Sequence, residues 1–260
     1  MHWLRVAFDA ARLYVALVVF ALICLAWTVV ALPLYLILDD HLGTRIGRLG
    51  IQRGFRLFVV WIRVTGIYRL DLGAIDALNG GSAVILAPNH PTVIDAILMV
   101  TRHPNVVCIM KSMIMNNVLL GAGARLAGYI RNEPPRRMLR EAVAELATGA
   151  VVLVFPEATR TRRAPVNPFI GGVGLVAKLA QAPVQTLLVE TDSPYLSKGR
   201  SLLRPVRLPI TYRVRLGRRF DPPEDAREFD RTLEAYFRAE LADSLQNRWL
   251  EPAGRRTESR

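Results

Sequence analysis

Acidic residues are missing from two long stretches of this 260-residue chain. None occurs between His41 and Arg69, which holds six arginines, and none between Leu196 and Arg219, which holds eight Lys and Arg. The resulting formal net charge of +12 calls for an anionic partner: a phosphate-bearing substrate, an anionic lipid surface or a nucleic acid. Cysteine is nearly absent. Cys24 and Cys108 offer neither a disulfide framework nor metal-ligand spacing, so a reducing compartment and no metal are expected. No Gly-x-Ser-x-Gly elbow is present and Cys108 has no activating neighbour in sequence, which disfavours a covalent nucleophile. There is no basic-aromatic RNA motif, so nucleic acid is not an expected partner. Internal repeats and low-complexity segments are lacking too.

Charge of either sign is absent from Tyr14 to Leu38. That run exceeds the roughly 20 residues a helix needs to cross a bilayer, and no cleavage site comes after it. It reads as an uncleaved anchor. Pro33 is placed to bend it, so spanning and re-entrant readings both stay open. In the arginine-rich stretch after it, helical spacing puts Arg45, Arg48, Gln52, Arg56 and Arg63 on one side. Leu49, Phe55, Leu57, Phe58, Val60, Trp61 and Ile62 fill much of the rest. This is the pattern of a basic amphipathic helix on an anionic membrane surface; the alternative is a core helix with a solvated arginine face. The positive-inside rule puts the domain after this helix on the cytoplasmic side. The expected organisation is a membrane-docking unit over 1–67, a domain over 68–250 and a frayed tail over 251–260.

Within 68–250 the pattern alternates. Strands are expected at 68–72, 83–87, 105–110, 151–155 and 184–190, and at a sheet edge over 206–216. Helices are expected at 91–100, from Ser112 to Leu119, from Pro134-Pro135 to a stop at Gly149, over 172–181 and over 225–246. Gly80-Gly81 reads as a turn, and Gly121, Gly123 and Gly128 as points where the chain loosens. The stripe Phe229, Leu233, Phe237, Leu241 and Leu245 marks a helix packed on a core. Such alternation predicts an α/β domain with a mostly parallel central sheet flanked by helices, preceded by the helical pair.

The buried-type strand 83–87 runs into Asn89-His90-Pro91-Thr92-Val93-Ile94-Asp95. His90 falls at a strand-to-helix corner, where α/β proteins bind ligands. Asp95, about one turn into the helix, can reach back to the imidazole, and a His oriented by a carboxylate is a general base. Taken alone, His-x4-Asp fits a capping His and a solvated Asp more readily than a catalytic pair. His103, before Pro104, reads as a surface residue.

Two more blocks lie downstream: Gly128-Tyr129-Ile130-Arg131 and Phe155-Pro156-Glu157-Ala158-Thr159-Arg160. In order and spacing the three blocks resemble the glycerolipid acyltransferase family, which includes the 1-acylglycerol-phosphate acyltransferases. The resemblance covers roughly residues 83 to 220. It implies transfer of a fatty acyl group from a thioester, acyl-CoA or acyl carrier protein, directly to a hydroxyl of a lysophospholipid, with 1-acylglycerol-3-phosphate as the leading acceptor. No cofactor is implied beyond the thioester co-substrate. His90 would be the base and Asp95 its partner; Lys111, Arg131, Glu157, Thr159 and Arg160 would contact substrate. The chain departs from the family pattern at Ala158, where Gly is usual. It departs again at Phe169-Ile170-Gly171-Gly172, where an Arg-Gly pair is frequent, and at Ala182-Pro183-Val184, where a second proline is usual. A different lipid or glycolipid acceptor, and a non-catalytic lipid-binding protein on the same fold, remain alternatives.

Overall fold

The computed structural model describes residues 2–76, 83–170, 172–202, 204 and 206–250. The expected turn at Gly80-Gly81, Gly171 and the tail from Glu251 lie outside the described residues. In chain order the elements are α1 (His2–Ile37), α2 (Asp40–Val64), β1 (Tyr68–Asp71), α3 (Gly73–Asp76), β2 (Val84–Pro88), α4 (Ile94–Val100), β3 (Val106–Met110), α5 (Ser112–Met115), α6 (Gly121–Leu126), β4 (Ile130–Arg131), α7 (Pro135–Ala147), β5 (Val151–Leu153), α8 (Val173–Ala180), β6 (Val184–Thr191), β7 (Ile210–Phe220) and α9 (Ala226–Glu240), with a 3-10 turn over Leu245–Arg248.

The strands form one sheet in the order β1-β7-β6-β2-β5-β3-β4. Every pairing is parallel except β6 with β7. All five positions of β2 and all eight of β6 are buried, because helices cover both faces of the sheet; continuous apolar runs are what such strands require. The expected edge strand is instead β7, one 11-residue strand inside the sheet, bonded to β6 on one side and β1 on the other.

α1 and α2 form an antiparallel hairpin. Phe20 meets Phe55 and Phe58 at ring-centroid distances of 5.8 and 4.9 Å. The indole of Trp27 lies where a Cβ on Gly50 or Gly123 would be, 2.1 and 2.6 Å away. A Cβ on Gly47 would fall 2.4 Å from the backbone nitrogen of Ala127. Glycine at these places lets α2, α6 and α1 approach to backbone contact, as small residues do at close helix crossings. Gly121 and Gly123 thus belong to a packed helix rather than a loosened chain; only Gly128 of the three adopts positive φ, +64°. The expected helix 112–119 is broken into α5 and a loop before α6, and Lys111, not Ser112, holds the N-cap position. α9 ends at Glu240, so Leu241 caps it and Leu245 falls in the 3-10 turn.

The hairpin is not separate from the domain. Leu13, Phe58, Val59 and Ile62 share one buried core with the strands, so the boundary expected at residue 67 cuts through that core. Arg48 does not belong to the exposed basic face. It is buried, donating to Ala127 O, Asn105 Oδ1 and Glu145 Oε2, the last at 2.8 Å. A guanidinium inside the core is held only by such a full set of acceptors. Arg45, Arg53, Arg56 and Arg63 stay exposed beside Leu42, Leu57, Val60 and Val64. α1 is the one helix among the described residues long and apolar enough to cross a membrane. It starts earlier than the apolar run, with Asp9 paired to Arg12 and Arg12 bonded to Thr65 O.

Candidate active site

β2, β5, β3 and β4 run parallel, so their C-terminal ends open on one edge. His90 follows β2, Phe155 to Arg160 follow β5, Lys111 follows β3 and Arg131 ends β4. The sheet alone brings three sequence blocks to the edge where open α/β sheets bind ligands.

His90 is held from every side but one. Its Nδ1 lies 2.9 Å from Asp95 Oδ2, its backbone N donates to Glu157 Oε1 at 2.9 Å, and its carbonyl accepts from Thr161 N at 2.7 Å. Phe155 stacks on the ring with centroids 3.9 Å apart. Nε2 has no hydrogen-bond partner among the described residues, and the side chain is 16% exposed, which leaves that nitrogen to meet a substrate. The corner is tighter than the sequence pattern implied. α4 begins at Ile94, after a turn containing Pro91 and Thr92. That turn points Thr92 N at Asp95 Oδ2, 2.8 Å, and Thr92 Oγ1 at Asp95 Oδ1, 2.9 Å. Asp95 is fully buried, and with three donors its carboxylate is satisfied. Because the Thr92 hydroxyl donates its one hydrogen to the carboxylate, the buried Tyr212 hydroxyl beside it must donate to Thr92. Asn89 faces away, exchanging hydrogen bonds with Val189 N and O at 2.7 and 2.8 Å. It locks β2 to β6.

Glu157 contacts no free space. Its carboxylate accepts from His90 N, Thr161 Oγ1 and Asn167 N. Burial pushes its pKa up, and these three hydrogen bonds offset part of that rise. It knits the β5 loop to the β2 corner, a different placement from the substrate contact expected of it. Ala158 beside it has φ +50°, the turn geometry that a glycine adopts without strain. Thr159 Oγ1 accepts from Lys198 Nζ at 2.8 Å. Arg160 donates to Leu196 O and Ser197 O at 2.8 and 3.1 Å. Lys111 is exposed at the end of β3. Arg131 donates to Asn116 Oδ1 at 3.1 Å on the far edge strand and lines a separate groove with Arg125 and Arg137. That groove does not include Arg160. An apolar cavity of about 150 Å³ lies on the other side of the corner, lined by Val93, by Ala96 and Ile97 of α4 and by Trp27, Phe55 and Ala124.

The acyltransferase family model matches residues 64–190, which contain all three blocks. Residues 64–190 are thus an acyltransferase-family domain. No curated protein matches it. Among solved structures it is similar to the 1-acyl-sn-glycerophosphate (LPA) acyltransferase PlsC from Thermotoga maritima, at 18% identity and a TM-score of 0.66, over 96% of this chain and 100% of that one. That likeness is one of fold.

Three residues at this acyltransferase's site escaped the sequence reading. Thr92 read as a first-turn residue, although its hydroxyl buttresses Asp95. Tyr212 lies 120 residues downstream on a strand that no motif marks. Lys198 carries an ammonium that reaches the third block, and its only sequence signal was the acid-free stretch it belongs to.

Proposed function

We propose that this acyltransferase moves a fatty acyl group from a thioester, acyl-CoA or acyl carrier protein, to the free hydroxyl of a lysophospholipid, 1-acylglycerol-3-phosphate first among them. The observation that carries the reading is the His90–Asp95 pair at 2.9 Å, with Nε2 free and Lys111 and Arg160 on the same edge. His90 Nε2 takes the proton of the acceptor hydroxyl as its oxygen attacks the thioester carbonyl. Asp95, accepting from Nδ1–H, fixes the tautomer and stabilises the imidazolium. Collapse of the tetrahedral intermediate expels the thiolate, which takes the proton back. Lys111 and Arg160 hold the acceptor's phosphate, and the apolar cavity beside α4 takes acyl chain.

The reaction runs at a membrane surface. α2 packs along α1 and exposes Arg45, Arg53, Arg56 and Arg63, so a spanning α1 would drag these charges into hydrocarbon. The pair instead lies in one leaflet, apolar face down and arginines at the headgroups. The cytoplasmic leaflet, with its anionic lipid, is the surface it matches.

The test is acyl transfer by detergent-solubilised protein to lysophosphatidate and, in parallel, to monoacylglycerol. Preference for the phosphate-bearing acceptor, abolished by His90→Ala, supports the reading; equal use of both acceptors removes the phosphate from it.

A further inference from the structure

Cations crowd one side of this site with no acid among them. Beyond Thr161 a groove of about 400 Å³ is lined by Arg162, Lys198, Arg200 and Trp249, and no Asp or Glu lines it among the described residues. Lys198 reaches back to Thr159; burial, then Arg162, Lys111 and Arg160, push its ammonium pKa down. None of Lys111, Arg160, Arg162, Lys198 and Arg200 has an ion-pair partner among the described residues. Arg200 Nε is buried and has no hydrogen-bond partner among them.

Like charges gathered this way repel one another until anions fill the space. One acceptor phosphate brings at most about two negative charges, too few for the cluster. A coenzyme A thioester brings a diphosphate and a phosphomonoester, about four in all. Guanidinium forks match those oxygens. The indole of Trp249, steadied by Nε1 donating to Thr191 O at 3.3 Å, supplies a ring face of the type on which bases stack. Thr161 ties the wall of this groove to the reacting corner, since it lines the groove and donates to both His90 O and Glu157.

We propose that this groove holds the nucleotide of an acyl-CoA donor, with phosphates on Arg162, Lys198 and Arg200, adenine against Trp249, and the pantetheine arm directed to His90. The proposal rests on the acyl-transfer reading and selects its donor. An acyl carrier protein presents its arm without adenine and would leave the groove unfilled.

The experiment uses the full-length, detergent-solubilised protein and has two arms. Calorimetric titration with adenosine 3′,5′-bisphosphate should show saturable binding that CoA displaces. Lys198→Ala and Arg200→Ala should each weaken it about tenfold, the loss of one charge-assisted contact. In the second arm the KM for acyl-CoA should rise by about the same factor in these variants, while that for acyl-pantetheine carrying the same chain, and that for the acceptor, hold within about twofold. Absence of saturable bisphosphate binding, equal KM values for the two donors in the parent, a rise in acceptor KM in place of donor KM, or preference for the carrier-protein thioester would each overturn the proposal. Bisphosphate binding without transfer from any donor would overturn the transferase reading and leave the nucleotide groove standing.

Discussion

At the scale of single residues, the site depends on one imidazole and the groups behind it. His90→Ala should lower kcat about 10²–10⁴-fold, the range for a lost general base, with the thermal midpoint unchanged. Activity of the folded variant within a few-fold of the parent would sink the mechanism. Asp95 is reached through Thr92 and Tyr212, so Tyr212→Phe should cost about tenfold in kcat, roughly 1.4 kcal/mol of transition-state stabilisation, with both KM values unmoved. A change in KM alone would place Tyr212 in substrate binding instead. Glu157 makes a prediction in pH. Its pKa is raised in the folded state above the ordinary 4.5, so the folded protein binds that proton more tightly than the unfolded chain. Its contribution to stability is full below about pH 4.5 and is lost as pH rises through the folded pKa. Urea midpoints of parent and Glu157→Gln, measured from about pH 4.5 upward, should therefore show the parent losing ground to the variant as pH rises. Parallel curves would show that the carboxyl titrates normally.

At the scale of elements, the two departures in the third block and after it have different consequences. Ala158 occupies a left-handed turn, where an L-residue pays about 1–2 kcal/mol. Ala158→Gly should raise stability by a net of about 0.5–1 kcal/mol once the glycine's chain entropy is counted, read as a higher denaturant midpoint at unchanged m. The stretch where an arginine was expected is fastened in another way. Asp230 on α9 accepts from Gly172 N and Gly174 N, and Glu234 accepts from Phe169 N. Asp230 thus caps the start of α8, and Glu234 ties down the chain that leads into it. Between helices, Gly47 has the backbone of Ala127 as its neighbour, which cannot swing aside like a side chain. Gly47→Ala should destabilise by about 1–3 kcal/mol, the usual range for overpacking, whereas Gly73→Ala, where a Cβ meets nothing within 4 Å, should not.

At the scale of the whole molecule, the helical pair completes the core and, on the proposed reading, also meets the membrane surface. α1 exposes Val29, Leu36 and Ile37 at 66%, 76% and 77%, a continuous apolar face far larger than isolated surface hydrophobics. The protein should stay with vesicles after a high-salt wash, because apolar burial is not screened. Release of the full-length chain by salt alone would contradict that. A chain starting at Tyr68 would uncover the core that Leu13, Phe58, Val59 and Ile62 complete, and it should be recovered aggregated in place of soluble and active.

The sequence by itself determined the α/β alternation, the parallel sheet and the apolar first helix, because buried strands and amphipathic helices write their periods into the chain. It also placed His90 and Asp95 together, since five residues across one turn leave little freedom. Contacts between distant segments were decided by tertiary structure. Period alone put Arg48 on a basic face; packing against α6 and α7 made it a buried ion pair. The family resemblance gave Glu157 to the substrate; the approach of the β5 loop to the β2 corner surrounded it with donors. The blocks of Arg131 and Arg160 share a motif order, yet strand order sends one to the edge strand and the other to the centre. Lys198 and Tyr212 reach the site because β6 pairs with β2 and β7 with β6, a neighbourhood that pairing between strands creates and that local pattern does not encode.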